Sequence, residues 1–359
     1  MKNSSIYKLS ALMVLTLSLA IISCSDWNEV ESLGLKNQSL KEQYPKLYAD
    51  YIQDLIKYKT GEHKVTFVSF DNPQRDPVNQ AERLTAIPDS VDFICLNHPD
   101  DVSPEIQKEM TQIREKGIHT LYAIKYENFK EEWEANTKIN PEFTEEEALA
   151  YFGKRTDDML AICDKYNYDG IIIDYTGQSL VSMVPENLAK YNKRQKNFFN
   201  RIVSWREKHD HKTLVFYGNV QYLVPENLSM MEKYNYIALK SVLSTSGDDI
   251  AVKAYLALQA GEDVKDSLYV GVNPVPANRF IACVELPQAD DKEQVKGYWN
   301  TKDANGNKIV AALGTAQWIG QYSPDFTRSG LFVMSIQNDY YNNTYGYLRE
   351  VISIMNPNK

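Results

Sequence analysis

Tyr168-Asp169-Gly170-Ile171-Ile172-Ile173-Asp174-Tyr175-Thr176 is the stretch on which the fold turns. A short run dominated by isoleucine and opened by Asp-Gly predicts a β-strand over 170–175. Successive side chains of a strand point to opposite faces, so Gly170, Ile172, Asp174 and Thr176 share one face. In a closed barrel that face points inward, and Asp174 and Thr176 then stand at the strand's outgoing end.

Similar β-rich runs lie on either side, at 65–70, 91–96, 120–124, 213–217, 236–239, 268–272 and 331–336. Helical segments separate them at 104–116, 144–165, 185–208, 248–261, 309–320 and 345–354, with shorter helices after the first and fifth runs. Strands alternating with helices imply a parallel sheet, and eight strands close an α/β fold of the (β/α)8 TIM-barrel type. Residues 276–307 are longer and more polar than an ordinary βα loop, which predicts an insertion over the barrel mouth. Upstream, Leu40, Tyr44, Leu47, Tyr51 and Leu55 have helical spacing up to a stop at Gly61, giving a helix expected to pack on the barrel. The domain reading is one barrel over 40–359.

Charge and composition narrow the partners. The net charge of −9 is spread along the chain, which disfavours nucleic acid, whose non-specific binding needs clustered Lys and Arg. The first residues combine Lys2, Lys8, an apolar stretch over 11–22 and Ser23-Cys24, the layout of an export signal over 1–23. Leu19-Ala20-Ile21-Ile22-Ser23-Cys24 resembles a bacterial lipoprotein box, with Ile22 bulkier than the usual small residue, and predicts lipidation of Cys24. The polar residues over 24–39 read as a tether. Asp26, Glu29 and Glu31 resemble the acidic signal that sends Bacteroidetes lipoproteins to the outer leaflet of the outer membrane, so the expected location is the cell surface. Cys95, Cys163 and Cys283 remain, without a C-x-x-C pair, and are read as buried thiols. The sequence has no H-E-x-x-H, no G-x-S-x-G and no Gly-rich phosphate loop; neither a metal nor a cofactor is expected.

The strand 170–175 resembles the fourth strand of the family 18 chitinases and endo-β-N-acetylglucosaminidases, which reads D-G-x-D-x-D-x-E. In that family the final Glu protonates the glycosidic oxygen, and the Asp two residues earlier orients the substrate N-acetyl group, whose carbonyl attacks the anomeric carbon. Carried onto this chain, Asp169 and Gly170 match and Asp174 matches the orienting Asp. Ile172 replaces the inner Asp and Thr176 replaces the acid. A threonine hydroxyl cannot supply the proton, so the resemblance implies a catalytically inactive barrel. Similar chains in Bacteroidetes glycan-utilisation systems imply glycan-uptake proteins as further partners.

Around the mouth, Lys240 is placed to neutralise Asp174 from across the barrel or to stand solvated on the rim. Asp174, Tyr175, Tyr217, Asn219, Lys240, Asn273, Gln337 and Asp339, with Trp133 and Trp299, form the expected glycan-binding set, since flat rings stack on pyranoses while polar side chains bond hydroxyls. Glu127, Asp71 and Asp339 are candidates for a relocated acid. His98 reads as an exposed loop residue. The function expected is binding of N-acetylglucosamine-containing oligosaccharides, of N-glycan or chitooligosaccharide type. The alternative is an active glycosidase using one of those other carboxylates.

Overall fold

The computed structural model describes residues 40–288 and 291–357. The signal, Cys24 and the tether lie outside the described residues. Contacts divide the chain after Tyr51. In the first unit the described residues form α1 (Leu40–Gln43) and the opening turns of α2 (Pro45–Thr60). Of the apolar residues expected to pack, Tyr44, Leu47 and Tyr51 are exposed and Leu55, in the second unit, is buried.

The second unit is a (β/α)8 barrel. Its strands are β1 (Val65–Phe70), β2 (Phe93–Leu96), β3 (His119–Lys125), β4 (Gly170–Tyr175), β5 (Thr213–Gly218), β6 (Tyr236–Leu239), β7 (Phe280–Glu285) and β10 (Arg328–Met334). All pair in parallel in that order, and β10 closes the ring onto β1. Around them run α3 (Pro104–Arg114), α4 (Tyr126–Ile139), α5 (Glu145–Lys165), α6 (Pro185–Lys208), α7 (Gly247–Glu262), α8 (Lys265–Leu268), α9 (Ala311–Gly320) and α10 (Gly346–Met355). Local signals start several of these helices. Ser103 caps α3, Ser246 caps α7, and Thr144 with Glu147 forms a capping box on α5.

Strand alternation sorts the core into two layers. Ile171, Ile173 and Tyr175 face outward into the helix-covered layer with Phe198 and Phe199. Phe67, Phe93, Leu121, Ile172, Val215, Ile281 and Phe332 fill the interior. Cys163 lies in the outer layer and Cys95 and Cys283 in the inner one; all three are free, buried thiols. Burial pushes the Cys95 and Cys163 thiols up to about 12. Gly170 is required by a close approach, since a Cβ there would stand 2.1 Å from the Thr213 carbonyl oxygen.

Two expectations are corrected. The seventh strand is not 268–272, which is the last residue of α8 followed by a turn with Val270 and Gly271 at positive φ and Val270 and Val272 exposed. It is β7, a run buried through Val284 that lies within the 276–307 segment expected as the insertion. The insertion therefore begins only after Glu285, and it carries an antiparallel hairpin of β8 (Tyr298–Lys302) and β9 (Lys308–Val310).

Candidate glycan site at the barrel mouth

The mouth is built from the outgoing ends of the strands. On β4, Gly170 and Ile172 lie below and Asp174 opens onto the mouth, half-buried, paired along the ladder with Lys125 on one side and Tyr217 on the other. Lys240, one residue past β6, places Nζ 2.5 Å from Asp174 Oδ1 and 3.9 Å from the centroid of the Tyr217 ring. The cation thus joins a carboxylate and an aromatic face in one contact. Burial, and after it the neighbouring Cys283, Asp174 and Glu285, holds the Tyr217 phenol well above its ordinary range. Thr176 follows the last ladder residue. It is half-buried, and its carbonyl accepts a hydrogen bond from Asn219 Nδ2 at 3.0 Å. Neither Thr176 nor Ile172 carries an ionisable group, and Ile172 is sealed in the interior at 1% exposure.

The structure thus brings Asp174, Thr176, Tyr217, Asn219 and Lys240 together. Gln337, in the short helix Ile336–Asp339 after β10, is exposed on the same side, and Tyr340 and Tyr341 follow it with ring centroids 5.0 Å apart.

Other expected members do other work. Asn273 precedes β7, so it lies at the opposite end of the barrel, where Nδ2 donates to the Leu258 carbonyl at 3.0 Å. Asp339 is buried; its carboxylate accepts from the amides of Tyr347 and Leu348 and from Asn342, holding the start of α10. Tyr175 faces outward among Phe198, Phe199 and Tyr126, its hydroxyl accepting from Gln195 Nε2 at 2.9 Å. Trp133 is packed on Phe143, Tyr151 and Phe152, and Trp299 is buried against Gly314 of α9. These rings are packing, for a common reason: each sits on the helix-covered side of its element. Asp169 precedes β4 at the incoming end, gripped by Arg114 at 2.8 and 3.1 Å and by the Thr120 amide. Its part is structural.

Among the alternative acids, Asp71 pairs with His98 on the exposed rim at 3.1 Å. Glu127 opens α4, where one oxygen accepts from the Gly177 amide at 3.2 Å and the other from Lys130 at 2.8 Å. The sequence reading missed Glu285, the last residue of β7. Ile281 and Cys283 face the interior, so alternation turns Glu285 inward as well. The signal available was the apolar run Phe280-Ile281-Ala282-Cys283-Val284 between Pro276 and Pro287. Among the described residues no group of acidic, His and Cys side chains could hold a metal ion.

Comparison with known proteins agrees with this architecture. The chain belongs to the family described as glycoside hydrolase family 18, BT1044-like, whose model matches residues 28–354. A solved structure of selenomethionine BT1044 carrying a glutamate-to-glutamine substitution superposes with a TM-score of 0.57 at 18% identity, covering 88% of this chain and 95% of that one. A family 18 chitinase from Pseudoalteromonas aurantia gives 0.45 at 11% identity, covering 81% and 99%. A group II chitinase domain from Ostrinia furnacalis gives 0.48 at 10%, covering 82% and 96%. No curated protein matches the sequence.

Proposed function

We propose that this chain is a surface lipoprotein that captures N-acetylglucosamine-containing glycans in its barrel mouth without cleaving them. The observation that carries the reading is the inward column of β4, in which Asp174 is the single carboxylate and is already ion-paired to Lys240. Substrate-assisted hydrolysis needs a proton donor at the leaving oxygen, and Thr176 provides none. What remains is a binding surface: the half-buried Tyr217 ring with Lys240 on it, amides at Asn219 and Gln337, and exposed Tyr341. Anchoring through Cys24 is part of the same proposal. Its support is the sequence of 1–39, and among the described residues no helix is long and apolar enough to cross a membrane.

The test is a panel of chitooligosaccharides and N-glycans offered to the purified soluble domain, with binding read by calorimetry and products by mass spectrometry. Binding without products is expected. Cleavage that survives Asp174→Ala would replace this reading with a relocated acid, for which Glu127 is the first candidate because it hydrogen-bonds the amide next to Thr176. For the anchor, protease treatment of intact cells should remove the domain, and Cys24→Ala should release it from the membrane fraction. A domain left uncut on intact cells would count against display.

A further inference from the structure

Glu285 is the half-buried, inward-facing carboxylate that the glycan-binding reading leaves without a role. Its surroundings differ from those of the other acids at this end of the barrel. Asp174 is neutralised by Lys240, Glu127 is held by Lys130, and Asp71 is held by His98. Among the described residues Glu285 makes no ion pair. Its one hydrogen bond comes from Ser335 Oγ, which donates to Oε1 at 3.0 Å. Ser335 itself is in the left-handed region, with φ 59° and ψ 45°, directly after β10. Its amide donates to the Oγ of buried Ser69 on β1 at 2.8 Å. A non-glycine residue in that conformation costs free energy, and such strain is found where the surroundings over-determine a functional geometry. Here it fixes a hydroxyl against one carboxylate oxygen and leaves the other, Oε2, without a donor among the described residues.

We infer that Glu285 is the carboxylate that anchors the glycan, accepting hydrogen bonds from hydroxyl or amide N–H groups of an N-acetylhexosamine, and that Ser335 is its positioning residue. The inference rests on the glycan-binding reading and deepens it. A sugar presents hydroxyl donors in pairs, and an ionised acceptor binds such donors more strongly than a neutral one. Asp174 has given part of its acceptor capacity to Lys240, so the role falls to the carboxylate across the mouth on β7.

The experiment measures affinities of chitooligosaccharides from dimer to hexamer and of a biantennary N-glycan by calorimetry, with thermal melts of each variant. Glu285→Ala should weaken binding about 10- to 100-fold, and the isosteric Glu285→Gln by about tenfold, which is the usual worth of a charge-assisted hydrogen bond. Ser335→Gly relieves the backbone conformation while removing the hydroxyl, so it should lower affinity about threefold without lowering Tm. A merely structural Ser335 would move Tm and leave affinity alone. Should Glu285→Ala fail to fold, Glu285→Gln decides. Folded Glu285 variants that bind within twofold of wild type overturn this inference and leave glycan binding standing. Wild-type protein that binds nothing in the panel overturns both.

Discussion

The Lys240 ammonium makes two contacts, one with the Asp174 carboxylate and one with the face of the Tyr217 ring. Lys240→Met keeps much of the apolar stem and removes the cation, leaving a half-buried carboxylate unpaired. Stability should fall by about 1–3 kcal/mol, less than for a fully buried pair because both side chains keep some exposure, as urea unfolding would read. The missing acid makes a second prediction. Thr176→Glu alone should give no detectable release from a fluorogenic chitobioside, because Ile172 beneath it offers no carboxylate to tune the new acid. Ile172→Asp with Thr176→Glu restores the pair, but at a site sealed among Leu121, Val215 and Cys95, where a polar group costs several kcal/mol, on the order of 3. The double variant should therefore melt well below wild type and be the only one of the three proteins with turnover. Equal turnover from Thr176→Glu alone would show that one carboxylate suffices. The direction of Asp174 was legible in the sequence because alternation along a strand fixes where a side chain points, whereas for Lys240, one residue past β6, the sequence allows pairing with Asp174 and solvation on the rim alike. The packing of Trp133, Trp299 and Tyr175 was not legible, since residue type alone does not tell a stacking platform from packing against a helix.

At the scale of elements, the confusion of 268–272 with a barrel strand has a physical source. Leu268-Tyr269-Val270-Gly271-Val272 has the aromatic and β-branched content of a strand, whereas β7 mixes Ala and Cys with its larger residues because it lies against both core layers. Propensity is a weak guide when burial decides, and local composition does not reveal burial. The turn carries its own marker in Val270, a β-branched residue at φ 51° and 91% exposed. Asn tolerates that conformation better and gives up no packing there. Val270→Asn should therefore stabilise the protein by about 0.5–1 kcal/mol, seen as a rise of one to a few degrees in calorimetric Tm. Were 268–272 a barrel strand, the same change would cost several kcal/mol. The site inherits the error directly, as Asn273 leaves the mouth and Glu285 enters it.

Over the whole molecule the barrel count of eight tolerated that slip because 268–272 and β7 both fall between α7 and α9. Topology depends on the order of elements, while a site depends on register, and so the fold was the more legible of the two. The two ends of the barrel also divide the polar chemistry. Asp174, Lys240 and Glu285 face the mouth, whereas the incoming end holds Arg114 with Asp169 and a second cluster in which His63 Nε2 lies 3.0 Å from Asp92 Oδ1, with Lys59 at 3.6 Å from the same oxygen. Burial alone would lower the His63 pKa. The hydrogen bond and charge of Asp92 outweigh it, and the net shift is upward. A histidine whose folded pKa exceeds its unfolded one contributes stability that is fully present below the unfolded value, about 6.5, and lost as pH rises through the folded value. Lys59 is pulled down, by burial first, and Asp339 is raised, by burial first, but both remain in a His63→Gln variant. Subtracting the urea-unfolding free energies of that variant from those of wild type at each pH therefore isolates the imidazole. The difference should be largest near pH 6 and shrink steadily toward pH 8.5. A difference that stays constant across this range would mean that the His63 pKa is the same in the folded and unfolded chain, and one that grows as pH rises would mean that His63 is held neutral in the fold, so that the cluster secures the incoming end of the barrel by packing and hydrogen bonding alone.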